Sequence, residues 1–306
     1  MKNRVLLVKN LMTAKRLINE FENKNIPTAT VEVEYGDECV EGSHATLAHH
    51  VPQYIHLPAP CVRDEIPQMN NGVILISHLD LDTLGGIQIL EGCKIKHQTF
   101  WNSEFLIDTK GYRGHKLIPE DDSTIMKSYW GWELKQELDF EKLTMFEQDF
   151  LDVTKLIEKR IEHINLLLKS PIDSNLIQLG LLEFKKRFQL FMNGMIFEND
   201  TIRIFITEEP QHYLSHENGL QTVRTCITLN QTRGNIIISD ITENLNCKEV
   251  MQSVFGEKAG GQYRVAGTPR NEKMNKNDIF TLCEYLKSRL GFEIDLNELN
   301  KKLTIN

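Results

Sequence analysis

Hydrophobic positions along this chain follow two periodicities that alternate several times. RVLLV at 4–8 is a short apolar run, MTAKRLINEFENK at 12–24 repeats apolar residues every three or four positions, and TATVEVEYG at 28–36 alternates. Apolar runs and alternation predict strands, whereas three-to-four spacing predicts an amphipathic helix. The opening therefore reads as β-α-β, the usual start of an α/β layer fold. Residues 37–67 show no period and are rich in His and Pro. A loop of that length inside a compact domain is usually functional or disordered, and the density of His favours a functional one.

The run GVILISHLDLD at 72–82 predicts a buried strand, and the glycines of TLGGIQILEG suit a strand-to-helix turn behind it. FWNSEFLIDTKGYRGHKL at 100–117 reads as a short helix running into a loop that holds Asp108 and His115. From about 124 to 195 the spacing is helical, broken at Ser170-Pro171 and stopped at Gly194. TIRIFITEE, TVRTCITLN and NIIISDI are strand-like, the last two joined by the turn QTRG, and a helix is expected at 275–290. The predicted architecture is an α/β fold in three parts. A parallel-sheet domain covers 1–135, a helical connector 136–195, and a smaller α+β domain 196–306.

Composition narrows the functional classes. Of 306 residues, 41% are hydrophobic, yet no apolar stretch approaches the roughly 20 needed to cross a bilayer. MKNRVLLVKN lacks a small-residue cleavage site and reads as a strand, not a signal peptide. The six cysteines form no CxxC pair, which points to reduced thiols in a cytoplasmic protein. With 43 acidic and 35 basic residues the net charge is −8, so no extended duplex nucleic acid is expected as a partner. A local pocket for a small anion remains open, as does a homodimer.

The candidate chemistry clusters early. Seven of the ten histidines lie between His44 and His115. In an extended chain His78, Asp80 and Asp82 would share a face, and such acceptors are costly to bury without a cation between them. Imidazole and carboxylate together suit manganese, iron or zinc. Asp37, which follows the strand at 28–36, and Asp108, which follows the apolar FLI, are further candidate ligands at a carboxyl edge. His49 and His50 are adjacent and need an irregular backbone if both are to bind. One of them is expected to ligate while the other contacts substrate, and His115 is a candidate donor to a phosphate or leaving group. Near the other end, FGEKAGGQYRVAGTPRN interleaves Lys258, Arg264 and Arg270 with Gly260 and Gly261, a composition suited to anion binding.

Together these residues resemble the DHH phosphoesterase superfamily. SHLDLDTLGGI (77–87) is similar to its His-x-Asp-x-Asp motif, FLIDTKG (105–111) to a later aspartate motif, and LAHH (47–50) to its His-His pair. ISDITENLNCKEVMQSVFGEKAGGQYRVAG (238–267) resembles the DHH-associated C-terminal domain. In this chain the His-His pair precedes the first motif, Ala48 stands where an aspartate is usual, and Asp37 is the candidate replacement. The resemblance implies a site between two domains with two manganese ions in the first, held by His78, Asp80, Asp82, Asp108, His49 and Asp37. It implies catalytic roles for Asp82, His50 and His115, and substrate binding by Lys258, Gly260, Gly261, Arg264 and Arg270. The expected activity is metal-dependent hydrolysis of a small nucleotide-type phosphate. Two other readings stay open: a catalytically degenerate nucleotide-binding or interaction protein on the same scaffold, and a metal-dependent hydrolase of a non-phosphate bond.

Overall fold

The computed structural model describes residues 1–64, 66–93, 97–144, 148–169, 173–242, 244–269 and 272–305. The chain divides into two compact units, Met1–Thr109 with Gly114–Phe184, and Lys110–Arg113 with Lys185–Asn306. The expected α/β class holds, with a largely parallel sheet in the first unit and a sheet-rich second one. Among the described residues no helix is long and apolar enough to cross a membrane.

In the first unit, the sheet order is Ala45–Leu47, Thr28–Val31, Val73–Ile76, Arg4–Val8, Phe150–Asp152. The first four strands are parallel, and the last runs antiparallel to Arg4–Val8. Thr28–Val31 and Val73–Ile76 are buried at every position, as strands of a parallel sheet covered on both faces should be, although Thr28 and Thr30 interrupt the apolar run in the first of them. Helix Leu11–Glu22 starts where the Asn10 side chain accepts from the Thr13 amide. Its buried Ala14, Leu17 and Ile18 pack on Leu6, Val8, Val73 and Leu75.

Two expectations change here. The expected connector 136–195 is divided between the units at Phe184, and within it Phe150–Asp152 forms a strand that pairs with Arg4–Val8. The unperiodic region 37–67 contains a strand, Ala45–Leu47, too short to register as alternation.

Helix Leu81–Leu90 begins at Asp80, whose side chain accepts from the Thr83 amide. Its glycines serve close packing rather than turning. A Cβ on Gly85 would lie 2.3 Å from Cys61 Cβ, so only glycine lets the turn Pro60–Val62 sit this near the helix. That approach brings the Cys61 amide within 2.7 Å of Asp82 Oδ1.

In the second unit, the six-stranded sheet has the order Gly260–Gly261, Val265–Gly267, Asn235–Asp240, Thr225–Asn230, Ile202–Thr207, Met195–Glu198. Only the pairing of Ile202–Thr207 with Thr225–Asn230 is parallel. Ile204, Ile227, Ile236 and Ile238 pack with Leu282 and Leu286 of helix Lys276–Leu290. Helix Leu296–Ile305 adds Leu299 and Leu303 to the same core.

Candidate metal centre

Because four strands run parallel, their carboxyl ends share one edge of the sheet, where ligands collect in α/β folds. Glu32 follows Thr28–Val31, His49 and His50 follow Ala45–Leu47 after one residue, and His78 and Asp80 follow Val73–Ile76. Asp82 comes from the first turn of helix Leu81–Leu90 and Asp108 from helix Gln98–Lys110. Segments remote in sequence thus converge because the topology places their ends together.

Glu32 is the hub. It is fully buried, and its φ of 51° is unusual for a residue with a side chain. The His49 and His50 Nε2 atoms each lie 3.0 Å from its Oε1, while His78 Nε2 is 3.3 Å from its Oε2. His78 Nε2 is also 3.1 Å from Asp80 Oδ2. On the other side, His49 Nε2 lies 3.1 Å from Asp82 Oδ2 and 3.6 Å from Asp108 Oδ2, and His50 Nε2 is 4.0 Å from Asp108 Oδ1. The imidazoles of His49 and His50 stand side by side, 3.8 Å between centroids.

Hydrogen bonding fixes the tautomer of His78. Ser77 Oγ donates its single proton to the Glu32 carbonyl, so the 3.0 Å contact between Ser77 Oγ and His78 Nδ1 is donated by the ring. In a neutral ring Nε2 would then present a lone pair to the carboxylates of Glu32 and Asp80, an arrangement relieved by a proton on Nε2 or by a metal cation. Buried Asp82 offers Oδ2 to the site, 3.1 Å from His49 Nε2, while its Oδ1 accepts from the Cys61 amide. The donor set is therefore suited to a divalent metal. Three sets each place their ligand atoms within 4.8 Å of one another: Glu32, His49 and His50; Glu32, His78 and Asp80; His49, Asp82 and Asp108.

The electrostatics agree. Burial opposes charge on His49, but hydrogen bonds to Asp82 and Glu32 hold its pKa up at about 11. Burial likewise opposes charge on His78, and the negative charges of Asp80 and Glu32 hold it at about 10. Glu32 is kept well below the usual carboxylate range, because His78 and the three imidazole hydrogen bonds outweigh its burial. Asp82 and Asp108 are pushed upward, chiefly by burial, with Glu32 adding repulsion at both. Without a metal, protons on the imidazoles do part of the neutralising that a divalent ion would do.

Of the residues expected from sequence, His49, His50, His78, Asp80, Asp82 and Asp108 come together. They do so differently from the extended-strand picture: the strand ends at Ile76, Asp80 caps a helix and Asp82 lies within it. Asp108 is likewise on a helix, not beyond a strand. Asp37 is not among them. It is exposed at the turn between Glu34–Tyr35 and Glu38–Cys39, since the strand stops at Val31 and Glu32 takes the carboxylate position. His115 closes the short helix Tyr112–His115, half-buried and in none of the three sets.

In the second unit Lys258 is exposed, and Gly260–Gly261 form the edge strand beside Val265–Gly267. Gly261 has φ 134°, and a Cβ there would meet Val265 O at 2.5 Å, so this hairpin itself demands glycine. The Arg264 carbonyl accepts from the Asp240 amide. Arg270 lies outside the described residues.

Sequence reasoning missed Glu32 and the residues around it, Glu34, Arg63, Ser77 and Thr83. The sequence held only a weak signal for Glu32, a carboxylate between Val31 and Val33 directly after a strand-like run.

No family model and no curated protein matches the chain. Among solved structures it is similar to PggH, a pGpG-specific phosphodiesterase from Vibrio cholerae, at 11% identity over 93% of this chain and 89% of that one, with a TM-score of 0.33. It is also similar to an uncharacterized protein from Helicobacter pylori G27, at 13% identity over 72% of this chain and 75% of that one, with a TM-score of 0.22. At these scores neither likeness carries an argument about fold or function.

Proposed function

We propose that the protein is a metal-dependent phosphohydrolase acting on a small nucleotide-type phosphate. The observation that carries this reading is the convergence of three imidazole Nε2 atoms and four carboxylates on one sheet edge, with Glu32 shared between two of the ligand sets. A mixed nitrogen and oxygen donor set suits manganese, and two ions fit a hub carboxylate whose two oxygens face different histidines. Glu32, His49, His78, Asp80, Asp82 and Asp108 would hold them. When bound, such a pair makes water nucleophilic near neutral pH and withdraws charge from phosphoryl oxygens.

The chain's own groups do the rest. Asp82, buried beside His49, takes a proton from the attacking water. His50, with a side chain about one-fifth exposed, faces the substrate. His115 protonates the leaving group. Lys258, Gly260, Gly261, Arg264 and Arg270 are the candidate anion-binding residues of the second unit, as the resemblance of 238–267 to a DHH-associated domain implies. A cytoplasmic setting accords with six free cysteines.

The test is metal analysis of the purified protein, followed by hydrolysis of nucleotide diesters, monoesters and anhydrides with manganese. Turnover that falls at least about a hundredfold in Asp80→Asn is expected. Undiminished activity in that variant, or no uptake of divalent metal, overturns the reading. Nucleotide binding without product under a full panel of metals identifies a degenerate binding protein instead.

A further inference from the structure

His49 and His50 pose a geometric problem. Neighbouring side chains on an extended strand point to opposite faces, yet both of these rings reach the same oxygen of Glu32. The backbone must leave the strand geometry after Leu47, and its polar groups then need partners outside the sheet ladder. Glu34 supplies one half of the solution. Its Oε1 accepts from the His49 amide at 2.8 Å and from the His50 amide at 3.1 Å. Arg63 supplies the other half. Its guanidinium donates to the carbonyls of Ala48, Thr46 (3.1 Å) and Pro58 (2.9 Å). Glu34 is 6% exposed and Arg63 9%, so both are committed to this backbone at the expense of solvation.

We propose that Glu34 and Arg63 are positioning residues that clamp the peptide of the His49-His50 pair, and that this clamp sets the divalent-metal affinity of the edge site. The proposal rests on the metal reading given above. It assigns Glu34 a role distinct from that of Glu32 two residues earlier. Glu32 offers its carboxylate to the ion, whereas Glu34 spends one oxygen on two amides and belongs to none of the ligand sets found among the described residues.

Glutamine decides between anchor and ligand. Its amide oxygen can occupy the place of Glu34 Oε1 and still accept both amides, but it is a poor substitute for a ligating carboxylate. Two readouts are taken on the full chain: hydrogen exchange of the His49 and His50 amides without metal, and calorimetric titration with Mn²⁺. In Glu34→Ala both amides should exchange at least about a hundredfold faster, and affinity should fall about ten- to a hundredfold, the range seen when groups that orient ligands are lost. Glu34→Gln should keep both quantities within about threefold of the parent. Arg63→Met, which keeps the aliphatic stem without the donors, should lose affinity as Glu34→Ala does and carries the test should Glu34→Ala fail to fold.

Loss of Mn²⁺ binding in Glu34→Gln with amide protection intact would make Glu34 a ligand and overturn the clamp. Parent-like affinity in both Glu34→Ala and Arg63→Met would overturn it too. If the parent protein takes up no divalent ion, the metal reading fails and the proposed control of affinity fails with it. The amide-exchange arm then still reports whether Glu34 holds the peptide, so the two failures are told apart.

Discussion

Thr83 donates a 2.7 Å hydrogen bond to Glu32 Oε2. Both residues are fully buried. The bond ties the helix that follows one strand to the carboxylate that follows another, and it turns Oε2 toward His78. Thr83→Val removes the hydroxyl at almost constant volume. Manganese affinity should fall about tenfold, with little change in helix content, since outer hydrogen bonds orient ligating carboxylates. Unchanged affinity by calorimetry would show that Glu32 is oriented without Thr83.

Asp108 is placed at a cost to stability, which the proposed metal would offset. Burial and the negative charges of Glu32 and Asp80 disfavour its ionisation, while His50 and His49 favour it. Asp108→Asn should therefore raise the melting temperature of the metal-free protein at pH 8 by about 3–6 °C, corresponding to roughly 1–2 kcal/mol. It should also abolish most of the further rise that manganese gives the parent. A variant that melts below the parent without metal would contradict this account.

Metal uptake should expel protons. His49 and His78, held at about 11 and about 10, are protonated at pH 7.5 in the metal-free protein and must lose those protons to ligate. Affinity should rise with pH across pH 6–8. Calorimetry in two buffers of different ionisation enthalpy should report release of at least one proton per chain. No buffer dependence would mean that metal uptake displaces no proton from the imidazoles, against this account.

In the second unit His216 gives acid sensitivity of a definite sign. Burial pushes its imidazole down to about 4, against the pull of the Val223 carbonyl and Asp240. Its Nδ1 donates to Val223 O and its Nε2 accepts from Ser239, the pattern of a neutral ring. The unfolded chain takes up the proton near pH 6.5 and the folded one only near 4, so stability present above pH 6.5 is lost as pH falls toward 4. Between pH 7.5 and 5 this residue should cost about 2 kcal/mol. His216→Gln should narrow the difference between urea denaturation curves at those two pH values. An unchanged difference would assign the acid sensitivity elsewhere.

The fold was legible where pattern and environment coincide. Ile74, Leu75 and Ile76 read as a buried strand because they are one, and QTRG read as a turn because Thr225–Asn230 and Asn235–Asp240 flank it in register. Asp80 and Asp82 were found for an incomplete reason. Their alternation suggested one extended face, but the strand ends at Ile76 and the two carboxylates belong to different ligand sets. Glu32 was hidden by the alternation of VEVEY, which ran through the point where its backbone turns to positive φ. Glu34 and Arg63 left no local trace at all, since their partners are peptide groups whose positions depend on tertiary structure.

The antiparallel strand Phe150–Asp152 limits where the first unit can be cut. A polypeptide ending near residue 135, where composition alone would divide the chain, would lack the cover for Arg4–Val8. That strand would then offer a bare row of amides and carbonyls to any neighbouring molecule, an invitation to sheet-to-sheet aggregation. Expression of the first unit by itself should therefore extend through Phe184, so that the tail returning from far along the chain can seal the border it protects.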